Sequence, residues 1–173
     1  MEIKEYIKVI ILLPVNVLVT IPIIISLISK KKFSFNFIGL NNLLFYLSII
    51  FLVVGLWLAI WSVKTFYLKG GKGTPGPWNP VTNLIVSGPY RYIRNPMLLG
   101  VFFLLISESI IFSSIPILCW FLIFFIGNIF YFKKIEEKDL IKRFGSDYEK
   151  YKNNVPMLFP KISSFNNFIN NLD

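Results

Sequence analysis

From Leu43 to Phe66 the chain carries no charged residue before Lys64. At 1.5 Å per residue such a run makes a helix of about 36 Å, enough to cross a hydrocarbon core of roughly 30 Å. Three other predominantly apolar runs lie at about Tyr6 to Ile28, Met97 to Phe112 and Ile115 to Phe132. The Met97 run is short, roughly 24 Å as a helix, and spans only with tilt or a thinned bilayer. Ser113 and Ser114 alone separate it from the last run, with Pro116 just beyond, so these two runs are predicted to form a tight helical hairpin. Only 16% of the 173 residues are charged, against about 25% in a soluble domain. The expected fold is therefore all-α, a polytopic membrane helical bundle of about four spans in a single domain.

The first run contains Pro14, Asn16 and Pro22 and is predicted to be kinked. Lys4 and Lys8 precede it as in a signal peptide, but the run is too long, lacks a small-residue cleavage site and ends at Lys30, Lys31 and Lys32. It reads as a retained span. Trp57 and Trp61 lie toward the end of the second run, where aromatic residues favour the interface. With four spans, three segments share one side: the N-terminus, the loop with Lys64, Lys69, Lys72, Arg91 and Arg94, and the tail from Lys133. They hold fifteen of the eighteen Lys and Arg residues, and the other side holds only Lys30 to Lys32. The positive-inside rule then places both termini and the loop on the cytoplasmic side, with the three-lysine cluster opposing it.

Residues 1–66 thus form two N-terminal spans, 67–96 a Gly/Pro-rich loop, and 97–160 a hairpin with an amphipathic tail. Loops this long are functional or disordered, and Trp78, Leu84, Ile85, Val86 and Tyr90 argue for order. In the tail, Leu140, Ile141, Phe144, Tyr148 and Tyr151 follow helical spacing, as an interfacial helix would. Gly145 suits a helix end, and Ser146 with Glu149 fits a capping box that starts another short helix.

The chain has no histidine and one cysteine, Cys119 within an apolar run. Histidine bases, histidine metal ligands, multi-thiolate metal sites and disulfides within the chain are excluded, and no metal is expected. The formal charge of +9 fits topology and anionic lipid, since no basic soluble domain with a nucleic-acid reading element accompanies it.

The segment GPYRYIRNPMLLG, Gly88 to Gly100, concentrates arginine, tyrosine and proline at the start of the hairpin. Taken singly its residues have ordinary uses. Arg91 and Arg94 suit interfacial anchoring, Pro96 a first helical position, Gly100 close packing, and Glu136 and Glu137 a solvated face paired with neighbouring lysines. The hairpin changes this, because it returns the chain to the side it left. Arg91, Arg94 and Asn95 then meet Glu136 and Glu137 at the interface, a pairing of charges suited to a zwitterionic ligand beside a lipid-accessible wall.

At these residues the sequence resembles the isoprenylcysteine carboxyl methyltransferases and the related phospholipid methyltransferases. The shared pattern reads here as Gly88-Pro89-Tyr90-Arg91, Arg94-Asn95-Pro96, Gly100, Glu136-Glu137, Phe144-Gly145, Tyr148, Tyr151 and Val155-Pro156, over about residues 70 to 160. The resemblance implies an integral-membrane methyltransferase that uses S-adenosylmethionine and acts on a membrane lipid or lipidated acceptor, either the carboxylate of a prenylated cysteine or the amine of a phospholipid head group. By the same implication Glu136 or Glu137 contacts the cofactor, Tyr90, Asn95, Pro96, Leu99 and Gly100 line its pocket, and Arg94 with Arg91 orients the acceptor.

Asn95 stands where the family has a histidine; its amide can donate a hydrogen bond but cannot titrate near neutrality. A carboxylate acceptor tolerates this, because a sulfonium donor requires orientation more than acid–base help. An ammonium acceptor must first lose a proton, and only a carboxylate or water is at hand to take it, which favours a carboxylate or thiolate acceptor. The hairpin also resembles that of NADPH-dependent sterol-type reductases, with the KGGKG segment and Arg91 as a phosphate site. A non-enzymatic scaffold or transporter using Glu108 is a further reading.

Overall fold

The computed structural model describes residues 12–29, 37–74 and 79–160. Lys4, Lys8, Lys30 to Lys32, Trp78, the start of the first run and everything beyond Pro160 lie outside the described residues. Helix α1 spans Leu12–Ser29, α2 Leu43–Lys69, α3 Pro96–Ile111 and α4 Ile115–Tyr131. A π-helical turn, Phe132–Glu136, carries α4 without a break into α5, Glu137–Asn154. Helices α1, α2 and the α4 run are long and apolar enough to cross a membrane, and α3 is the short apolar helix expected.

The irregularity predicted for α1 is a π-helical turn at Asn16–Thr20, where Ile21 N–H bonds the Asn16 carbonyl five residues back. Continuing that pattern would require an N–H from Pro22 to reach the Val17 carbonyl, and proline has none. The Trp120 indole of α4 fills the gap, with Nε1 donating to Val17 O at 3.2 Å. In a bilayer, where an orphaned carbonyl costs several kcal/mol, this bond ties α1 to the hairpin.

Helices α2 and α3 form the most extensive pairing, and their contact is made by small residues. Ser48, Gly55, Ser62 and Thr65 line the buried face of α2. A Cβ on Gly100 would lie 3.0 Å from both Gly55 O and Ala59 N, and Ser107 Oγ donates to Ser48 O at 2.8 Å. Lipid supplies no hydrophobic drive between helices, so close backbone approach and buried hydroxyl bonds hold the pair instead.

The hairpin turn shows why two serines suffice. Ser113 adopts φ +45°, Ser113 N–H bonds Ile110 O at 3.0 Å and Ser114 N–H bonds Ser109 O at 2.9 Å, the pattern of a Schellman motif. The Ser114 hydroxyl then caps α4 through Ile117 N–H.

The Gly/Pro-rich loop is ordered where it is described. Thr82 N–H bonds Lys72 O and Asn83 N–H bonds Gly70 O, folding the loop back on itself. Gly88, at φ +59°, brings the backbone against Thr65 of α2, and a Cβ there would lie 2.7 Å from the Thr65 hydroxyl. A short 3-10 turn, Gly88–Arg91, leads toward α3. The apolar stripe of α5 packs on protein: Tyr148, Tyr151 and Val155 form a buried cluster with Leu84 of the loop and with Leu140, Ile141 and Phe144.

Candidate functional site

The chain just before α3 is stitched to the segment just after α5. Arg94 N–H donates to Pro156 O at 2.8 Å and Asn95 N–H to Met157 O at 3.0 Å. The Arg94 guanidinium follows the same seam, with Nε donating to Val155 O at 2.9 Å. Nη1 donates to Glu137 Oε1 at 2.7 Å and to the Tyr148 hydroxyl at 3.0 Å, and the guanidinium carbon lies 5.5 Å from the centre of the Phe132 ring. The second oxygen of Glu137, Oε2, pairs with Lys152 Nζ at 2.5 Å. The Arg94 and Glu137 side chains are only 9% and 7% exposed, so this is a buried ion pair, whereas Lys152 is 37% exposed.

Glu137 and Lys152 belong to the same element, and a straight helix would hold them about 22 Å apart. They meet because α5 folds back at Gly145, which has φ 55° and ψ −131° inside the helix. That region is open to glycine and strained for other residues. The expected helix end at Gly145 is therefore present as a sharp kink. Among the described residues the capping box is not formed, since neither the Ser146 nor the Glu149 side chain makes a hydrogen bond.

Burial raises the Glu137 carboxyl, but the hydrogen bonds from Lys152 and Arg94 outweigh it and leave the group below its ordinary value. Glu136 is the opposite case. It is half-buried, has no hydrogen bond or ion pair among the described residues, and burial pushes its carboxyl up to about 7, Asp139 and Glu137 adding to this and Arg143 opposing it. The two neighbouring carboxyls are thus set to different states near neutrality, one fixed as an anion and the other poised to exchange a proton. Burial also raises the Tyr148 and Tyr151 hydroxyls, which stay neutral.

The other residues singled out in the sequence take varied places. Tyr90 is buried against Phe66, and its carbonyl accepts the Tyr151 hydroxyl at 2.6 Å. Asn95 and Pro96 start α3, the Asn95 side chain making no cap bond. Leu99 sits in a core cluster with Leu58, Ile93, Phe102 and Leu158, and Gly100 faces α2. Arg91 is exposed at the end of the 3-10 turn. Sequence reasoning missed Lys152, Phe132 and the Val155 carbonyl as partners. It assigned the carboxylates to neighbouring lysines in their ordinary reading, but Glu137 pairs across the fold. A shallow groove of about 320 Å³ on α2 is lined by Trp57, Ile60, Trp61 and Lys64, none of them from this cluster. Among the described residues no group of three or more Cys, Asp or Glu is placed to hold a metal ion.

No curated protein matches the chain. Residues 43–147 match the family described as phospholipid methyltransferase, a stretch that runs from the start of α2 through the loop, the hairpin and Glu136–Glu137. This match covers more than half of the chain, and the chain belongs to the phospholipid methyltransferase family of membrane methyltransferases.

Proposed function

We propose that the protein moves a methyl group from S-adenosylmethionine to the amine of a phospholipid head group, as a multi-pass enzyme of a cytoplasmic membrane with its site on the cytoplasmic side. The observation that carries this reading is the meeting of Arg94, Glu137 and an unpaired Glu136 where the hairpin returns to the interface. The donor set fits the cofactor's amino-acid end. Glu137 offers an anionic oxygen, and Arg94 retains Nη2, which bonds nothing among the described residues. Tyr90, Asn95, Pro96, Leu99 and Gly100 supply the surrounding frame from the loop and the first turns of α3. Arg91, exposed at the interface, suits the acceptor's phosphate.

When bound, S-adenosylmethionine supplies a sulfonium methyl already activated for displacement. The chain has to deliver the acceptor as a free amine. A head-group ammonium transfers one proton to the Glu136 carboxylate. The proton would rest on Glu136, and the amine lone pair would be left free for the methyl that the cofactor would supply. Asn95 cannot take that proton, and Glu137 is held as an anion by its two cations.

Purified protein in lipid nanodiscs, given methyl-labelled S-adenosylmethionine and phosphatidylethanolamine, is expected to label the lipid. Label in an added prenylcysteine-type acceptor and none in the lipid would replace the amine reading, and label in neither would remove it. Glu136 must be ionised to accept a proton, so turnover is expected to fall about tenfold per pH unit below about 7 and to level off above it. Glu136→Gln should remove that limb along with most of the turnover. A variant with an unchanged pH profile would show that Glu136 is not the base.

A further inference from the structure

Glu137 is occupied unevenly. Its Oε1 is fixed by Arg94, a side chain 9% exposed and anchored to Val155 O. Its Oε2 is held by Lys152, which is 37% exposed and sits on a long flexible stem beyond the Gly145 kink. The two cations therefore differ in how readily they leave. Freeing Arg94 would break the seam to Val155 and strand a buried charge. Freeing Lys152 returns a compact, strongly hydrated ammonium to nearby water and leaves Glu137 still paired with Arg94.

The ammonium of Lys152 is also the same chemical group as the α-ammonium of an amino-acid zwitterion. We infer that Lys152 is a resident occupant of the ammonium subsite: its Nζ covers Glu137 Oε2 when no ligand is bound, and an incoming zwitterion displaces it. Arg94 Nη2 remains to receive the ligand's carboxylate. This rests on the functional reading above, but it concerns a residue five positions beyond the end of the family match at 147. A buried carboxylate without any cation would pull its own proton and lose the charge that reads the ligand. Arg94 on Oε1 prevents this throughout, whereas Lys152 covers the outer oxygen only between binding events, and in return the ligand binds less tightly than the bare subsite would allow.

Binding of S-adenosylhomocysteine to the full chain in detergent tests the inference. Lys152→Met should bind about two- to fivefold more tightly than wild type, the ratio equivalent to a weak partly exposed ion pair. Its thermal midpoint without ligand should be lower and its ligand-induced rise larger, whereas Lys152→Arg should bind as wild type does. Affinity unchanged or weakened in folded Lys152→Met would overturn the inference. Because that variant can fail to fold, the second test uses the wild-type chain. Saturating S-adenosylhomocysteine should expose Lys152 and raise its labelling by an amine-reactive reagent, read by mass spectrometry. Protection or no change would overturn the exchange even though the ligand binds. Absence of binding in every variant would instead sink the cofactor reading, and the inference with it.

Discussion

Arg94 shows how far one side chain can be committed. From sequence alone it is an interfacial arginine or a group that orients the acceptor. In the folded chain its Nε, Nη1 and backbone N–H are all bonded within the molecule, to Val155, Glu137, Tyr148 and Pro156. Removing one partner of a buried ion pair leaves the other charge uncompensated, at a cost of about 3–5 kcal/mol. Arg94→Ala is therefore expected to lower stability by about that amount, measured by thermal unfolding in detergent, and to lose cofactor binding along with turnover. A stable Arg94→Ala protein that binds S-adenosylhomocysteine normally would return the residue to a role limited to the acceptor. The Arg94–Glu137 contact was legible once the hairpin was recognised, because a hairpin must bring its two ends together. Lys152 was not legible, since the sequence marks a helix end at Gly145 but not the direction in which the chain leaves it. Only the backbone at Gly145 brings it back.

Gly145 is accordingly the hinge of the element that builds the site. Nothing lies within 4 Å of where its Cβ would be, so a larger residue meets no clash, and what opposes it is the backbone at φ 55° and ψ −131°. Backbone strain of this kind costs of order 1–3 kcal/mol. Gly145→Ala is expected to destabilise the chain by about that amount and to straighten α5, drawing Tyr148 and Lys152 away from Arg94 and Glu137. The fall in S-adenosylhomocysteine affinity should then exceed that of a surface substitution such as Ser146→Ala. The π-helical turn at Phe132–Glu136 works in the same element. Its extra residue lets the lipid-crossing part of the α4 run and the charged part of α5 present differently directed faces without a break. Sequence patterning placed the helical hairpin because Ser113, Ser114 and Pro116 interrupt two apolar runs. It could not place the π turn, because Phe132 to Glu136 differ in composition from neither neighbour in a way that selects a wider turn.

At the scale of the whole molecule, loop and tail form one body. Arg143 Nη1 donates to Val81 O at 3.0 Å, and Tyr151 binds the Tyr90 carbonyl. Both segments therefore lie on one side of the membrane. Single cysteines at Ser87 and Ser146, in a chain with Cys119 replaced, are expected to react with a membrane-impermeant reagent from the same face, and labelling from opposite faces would break the shared site. The order in which this body is made has a consequence of its own. Arg94 precedes the carbonyl it holds on Val155 by 61 residues, and Leu158, which completes the core around Leu99, comes later still. At about 5–20 residues per second, synthesis separates Arg94 from that partner by about 3–12 s. On the proposed cytoplasmic placement of the loop, Arg94 acts through that interval as a positive charge that keeps its end of the hairpin from crossing the membrane. Its later partners are not yet made, so the same arginine first helps to decide which way the helices are threaded and afterwards locks the threaded helices together.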